Sequence, residues 1–211
     1  WRTLEELLGT DSEYLGFLRD SPSAAQRLSH ILSNSRFLGD ALNKSVESVT
    51  WLGSDNDLQP RSRESLDVQT HASLERNAGS INDFANSIRA MRRHEIERIG
   101  LGWMSGVIDD KASLAGMTDV YDAAIDASLT WAIRHQTQEM GLDEAPAAIA
   151  VIGMGRYGGR EVNFSSDADV IIIYRPSDNA DDNQANLFAR KVQEDLRAIL
   201  QGPTTLEPKI E

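Results

Sequence analysis

The chain has 211 residues and a formal net charge of −12, with 33 acidic side chains against 21 basic ones. That balance argues against broad electrostatic binding of DNA or RNA, while leaving room for a small local phosphate site. It has no cysteine, which excludes disulfides and thiolate metal sites, and no stretch reaches the roughly 20 apolar residues of a membrane span.

The length suits one large domain or two small ones. The start, "WRTLEELLGTD", lacks the basic and apolar regions of a signal peptide. The expectation is a cytoplasmic protein with no membrane or nucleic-acid partner. Trp1 stands where an intact chain has Met, which reads as a piece excised from a longer protein.

Residues 1–143 predict a helical region. Helical pieces divide at Ser21-Pro22 and near Ser33–Ser35, with Leu28, Ile31 and Leu32 at helical spacing. "GSDNDLQPRSRES" (53–65) reads as a loop. A longer amphipathic helix is expected over about 80–105. Its apolar stripe is Ile81, Phe84, Ile88, Met91, Ile96, Ile99 and Trp103. Thr118 is the expected cap of a further helix, with Asp119 and Asp122 suited to the positive end of its dipole. The buried face of that helix would carry Tyr121, Ala124, Ile125, Leu129 and Ala132.

Gly141 ends this helix and Pro146 opens a different pattern, so a second region runs over 144–211. "AAIAVIG" (147–153) and "DADVIIIY" (167–174) are buried strand candidates. "DDNQANLFARKVQEDLRAIL" (181–200) is a helix with Phe188, Val192, Leu196 and Ile199 on one face, stopped by Gly202-Pro203. The fold class is α+β, mainly helical, with a small mixed sheet.

Between the two strands lies Gly153-Met154-Gly155-Arg156-Tyr157-Gly158, a match to Gly-x-Gly-x-x-Gly. A dinucleotide site would need a crossover helix before the next parallel strand, and an acid at that strand's end. Only seven residues separate Gly159 from Asp167, and the acids come before the second apolar run. The dinucleotide reading fails on spacing.

A different chemistry fits. Residues two apart on a strand share a face, so Asp167 and Asp169 project together and Ala168 projects away. Paired carboxylates suit a divalent cation with hard oxygen ligands. Gly153 and Gly155 leave backbone open to a phosphate chain, and Arg156 adds positive charge. Either half alone is an ordinary turn. Together they describe a nucleotidyl transfer site.

Glycine, a dozen residues, then Ser-Asp-x-Asp resembles the DNA polymerase β-type nucleotidyltransferase superfamily. The fuller string "AVIGMGRYGGREVNFSSDADVIIIY" resembles the glutamine synthetase adenylyltransferases. "MRRHEIERIG" (91–100) and "SPSAAQRLSHILSNSRFLGDAL" are similar to that family's helical approach to its catalytic core.

The resemblance implies a bifunctional enzyme with two related halves. One adds AMP from ATP to a tyrosine of glutamine synthetase; the other removes it by phosphorolysis. Gly-Met-Gly-Arg, Ser-Asp-Ala-Asp-Val and "SPSAAQRL" look more like the adenylylating half. It further implies that Asp167 and Asp169 bind Mg2+, that Gly153, Gly155, Arg156, Gly158 and Gly159 form the phosphate loop, and that Ser166 stands before the first aspartate as in the family. The PII signal protein and glutamine are implied regulators.

Two departures stand out. Trp103 occupies a position near which the family has Asp. A third carboxylate is expected on a later strand, beyond or near Glu211, so the 211-residue chain alone is expected to be inactive. A non-catalytic module on the same fold would have lost the aspartates or the glycine loop, and both are present.

Other polar residues have blander readings. His30, His71, His94 and His135 have no ligand spacing and belong at surface or boundary positions. Arg92 and Arg93 read first as a solvated helix face, the alternative being that they meet an acidic partner or steady the catalytic domain. "SDNADD" (177–182) is a loop and helix start, and Ser165 and Ser166 are turn residues.

Overall fold

A computed structural model describes residues 12–164, 166–178 and 180–201. The elements in order are α1 (Ser12–Asp20), α2 (Pro22–Asn34), α3 (Arg36–Lys44), a 3-10 helix (Val46–Gly53), α4 (Arg63–Arg76), α5 (Ile81–Met104) and α6 (Asp110–Glu139). There follow β1 (Ala147–Gly153), a single turn α7 (Gly155–Gly158), β2 (Val170–Pro176) and α8 (Asp182–Leu200). The class is α+β, mainly helical, and the described sheet has two antiparallel strands.

Two compact units emerge. Among the described residues, one combines those up to Arg61 with His94–Gly116; the other combines Ser62–Arg93 with those from Met117 onward. The change of sequence pattern near 143–144 lies inside the second unit.

The first unit has its own apolar centre. Ala24, Leu28 and Ile31 of α2 meet Leu38 and Leu42 of α3, Val49 and Leu52 of the 3-10 helix, and Leu58 and Leu101. The helix breaks fall where the sequence places them. Pro22 opens α2, where its missing N–H costs nothing. The Ser35 side chain caps α3 by accepting from the Leu38 N–H. Arg98, nearly buried, ion-pairs with Glu95 at 3.2 Å and lies over the Trp51 ring at 4.1 Å.

The second unit holds the sheet. Helix α8 lays Ala185, Phe188 and Val192 against Ala147 of β1 and Ala132 of α6. All four residues expected on its inner face, Phe188, Val192, Leu196 and Ile199, are buried. The Asp181 side chain caps it through the Gln184 N–H. Gly202-Pro203, the expected stop, lies outside the described residues.

Four expectations are corrected. Thr118 does not start a helix. It lies buried inside α6, which begins eight residues earlier, and the Asp109 carboxylate caps that helix by accepting from the Ala112 N–H at 2.7 Å. "DDKASLAG" contains no breaker before Gly116, and a glycine inside a long helix costs only about 1 kcal/mol. Asp109→Ala is expected to destabilise the chain by about 1 kcal/mol, read as a fall in urea midpoint at unchanged slope.

The strands are not buried on both faces. β1 and β2 alternate, and Ile152, Ile171 and Ile173 on the outer side are 43%, 48% and 48% exposed. A continuous apolar run marks burial on both faces only when both faces are covered. β2 also begins at Val170 and runs to Pro176, a shift from the expected 167–174.

Arg92 is no solvated face residue. It is 2% exposed, donates to the Leu200 carbonyl at 3.4 Å, and lies 5.7 Å from the Tyr121 ring centre. Its neighbour one turn earlier, Arg89, donates to the Ile199 carbonyl at 2.9 Å. The two guanidiniums therefore satisfy the last carbonyls of α8, where a helix dipole favours positive charge. Finally, Trp103 leaves the apolar stripe of α5. It is 41% exposed and donates through Nε1 to Asp110 at 2.7 Å, while Phe84, Ile88, Met91, Ile96 and Ile99 are buried.

Candidate active site

The antiparallel pairing rules out a βαβ crossover and so removes the dinucleotide fold on geometry as well as spacing. Register sets what takes its place. Gly153 stands opposite Val170, so the two ends of the 154–169 connection are neighbours. The Met154 N–H donates to the Asp169 carbonyl at 2.9 Å and extends the ladder by one bond. The start of the glycine loop and the second aspartate are thereby fixed side by side.

Asp167 and Asp169 are both exposed, and Ala168 between them is fully buried. The alternation puts the two carboxylates on the solvent side of an extended segment that leads into β2. Gly155 has φ +52°, the left-handed region, and a Cβ built there would lie 3.5 Å from Asp169 Oδ2. The loop backbone and the carboxylate thus face one another across van der Waals distance.

The glycines do different things. A Cβ at Gly153 would lie 2.9 Å from the Tyr157 ring, and one at Gly158 would lie 2.4 Å from the Gly153 carbonyl oxygen. These two residues let the turn fold tightly over the end of β1. Gly159 is ordinary: its φ is −80° and a Cβ would meet nothing nearer than 3.4 Å. Arg156 is exposed within the turn, and its carbonyl accepts from the Glu161 N–H at 2.7 Å. Ser166 is buried. Its hydroxyl donates to Asn163 Oδ1 at 2.9 Å and accepts from the Asn163 N–H at 3.2 Å, which closes the turn before Asp167.

Two hard oxygen donors on one exposed side suit a divalent cation such as Mg2+. Among the described residues no group of three or more His, Cys, Asp or Glu side chains is placed to hold a metal ion. Glu211 lies outside the described residues.

A second set of residues supports the loop, and sequence reasoning missed it. The Tyr157 hydroxyl donates to Asp122 Oδ1 at 2.7 Å. Arg160 reaches Asp122 Oδ2 at 3.3 Å and Asp119 Oδ1 at 2.6 Å. Arg63 approaches Asp122 Oδ2 at 3.5 Å and pairs with Asp67 at 2.7 Å. Burial, then the hydrogen bond to the Asp122 carboxylate, pushes the Tyr157 phenol far above its usual range, so it stays a donor. The hydrogen bond to Asp119 raises Arg160. Asp119 and Asp122, three apart on α6, share a face toward the loop. Read as residues of a helix start, they gave no sign of that face.

A family model for Glutamate-ammonia ligase adenylyltransferase matches residues 25–208. The chain belongs to this family. It is 76% identical, over all 211 residues, to the bifunctional glutamine synthetase adenylyltransferase/adenylyl-removing enzyme of Bifidobacterium longum strain DJO10A, and covers 20% of that protein. Against the protein of the same name from Mycobacterium tuberculosis strain CDC 1551 / Oshkosh, identity is 35% over 214 residues, with 100% of this chain and 21% of the relative covered. The Mycobacterium avium strain 104 protein is 34% identical over 213 residues. The chain therefore spans about one fifth of the length of the adenylyltransferases it resembles. No described helix is long and apolar enough to cross a membrane.

Proposed function

We propose that this chain carries the phosphate loop and two metal ligands of a nucleotidyltransferase site that transfers AMP from ATP to a tyrosine of glutamine synthetase. The observation that carries this reading is the strand register that sets Gly155 against Asp169, with Asp167 on the same exposed side. Family membership and the relatives' names support the substrate.

In this reading Gly155 lets the backbone approach the triphosphate, and the first amides of α7, which have no acceptor within the turn, face phosphate oxygens. Arg156 neutralises charge there. Asp167 and Asp169 would hold Mg2+, which when bound offsets charge on the phosphates and on the leaving group. The tyrosine oxygen bonds to the α-phosphorus, the bond to the β-phosphate oxygen breaks, and pyrophosphate leaves as the phenolic proton passes to water. Gly153 and Gly158 hold the turn closed, and Ser166 shapes the approach to Asp167. PII and glutamine belong to this reading as regulators of the whole enzyme, in the cytoplasm.

Removal of AMP by phosphorolysis uses the same groups, and the relatives' names carry both activities. The Gly-Met-Gly-Arg and Ser-Asp-Ala-Asp-Val variants favour the adenylylating half. The test uses the full-length enzyme containing this chain, with glutamine synthetase and ATP labelled at the α-phosphate. Label should reach glutamine synthetase, and Asp169→Asn should prevent it. If Asp169→Asn spares labelling and instead blocks phosphate-dependent release of ADP from adenylylated glutamine synthetase, the chain belongs to the removing half. Loss of neither activity would end the proposal.

A further inference from the structure

We infer that Asp122 is a positioning residue for the phosphate loop: with Tyr157 and Arg160 it forms a clasp that sets how far the loop stands from Asp169. The inference rests on the nucleotide site proposed above, and concerns residues outside its glycine and aspartate motif.

Both carboxylate oxygens of Asp122 are committed to the loop side. Oδ1 accepts from the Tyr157 hydroxyl at 2.7 Å, and Oδ2 meets Arg160 at 3.3 Å and Arg63 at 3.5 Å. Tyr157 is the middle of the glycine turn, and its ring underlies Gly153. Gly158 in turn sits over the Gly153 carbonyl. A shift of Tyr157 therefore moves the turn as a body. The opposite side of the turn is pinned by the Met154 N–H on the Asp169 carbonyl. Gly155, the residue facing the Asp169 carboxylate, lies between these two fixings.

Arg160 supplies the independent sign. It is the one non-glycine residue with positive φ among the described residues, at +57°. Long side chains rarely adopt that conformation, and glycine would do so freely. What arginine gains there is contact with both Asp119 and Asp122. Strain of this kind persists where the surroundings hold it. The loop is thus tied to α6 by charge at the point where its backbone is least at ease.

The test compares Arg160→Gly, Asp122→Asn and the double variant in the full-length enzyme, by calorimetric ATP binding with Mg2+ and by steady-state kinetics. Arg160→Gly suits the backbone and removes only the ion pairs, so the protein should stay folded. Each single variant should raise KM for ATP roughly tenfold with kcat within about threefold, and the double should be little worse than either, since one device is lost once. Arg160→Lys should recover part of the affinity. A purely structural role would lower Tm and leave KM alone. Folded Arg160→Gly with KM within about twofold of wild type would overturn the clasp, provided wild type binds ATP and Asp167→Asn loses it. Failure of those two controls would instead remove the nucleotide site, and the clasp with it.

Discussion

Asp167→Asn is expected to lower AMP transfer by the full-length enzyme at least about a hundredfold, roughly 2.7 kcal/mol of transition-state stabilisation, while Tm moves by no more than about 2 °C. The two halves of the expectation have separate grounds. Asn is nearly isosteric with Asp, and Asp167 is exposed, so no packing is lost. Removing one charge from a same-side carboxylate pair also relieves repulsion, which makes a small rise in stability the more natural direction. A neutral amide, however, is a poor ligand for Mg2+ beside a triphosphate. Activity falling while stability holds or rises is the mark of a residue kept for chemistry. Activity assays and calorimetric melting of the same preparation check both parts.

Gly158→Ala is expected to cost about 1–3 kcal/mol of stability and to weaken ATP binding, whereas Gly159→Ala next to it should be neutral or stabilising by about 0.4–1 kcal/mol. At Gly158 the new methyl would stand 2.4 Å from the Gly153 carbonyl oxygen, a backbone atom that can yield only if the turn opens. At Gly159 it meets nothing closer than 3.4 Å in a right-handed helical backbone. The pair sits in one Gly-Gly step, so composition and exposure are matched. Urea titrations of the two variants should differ clearly. Equal midpoints would mean that the turn is not packed as described.

Those two glycines also show what the sequence could and could not reveal. Helix existence was readable from the breaks at Pro22 and Ser35 and from the apolar stripe on the inner face of α8. The absence of a crossover between the strands was readable from spacing alone, because seven residues cannot hold a crossover helix. Register was not readable, since it depends on which strand atoms pair. Without it, the tight contacts of Gly153 and Gly158 within the turn could not be seen. The support of the loop was hidden for a related reason. Asp122 lies 35 residues before Tyr157, and only tertiary packing joins them. Arg92 was misjudged because a charged side chain in a helix is normally solvated; burying it requires acceptors, and the carbonyls at the end of α8 supply one. Thr118 was misjudged because a good capping residue inside a helix leaves the same sequence trace as one at its start.

The central claim is that the glycine loop and the Asp167–Asp169 pair act as one site for a triphosphate and its metal. Calorimetric titration of ATP into the full-length enzyme, with Mg2+ and with a chelator in its place, tests it most directly when wild type is set beside the Asp167→Asn, Asp169→Asn double variant. Wild type should bind ATP at least about tenfold more tightly with Mg2+, and the double variant should lose that dependence. Equal Mg2+ dependence in wild type and double variant would contradict the claim.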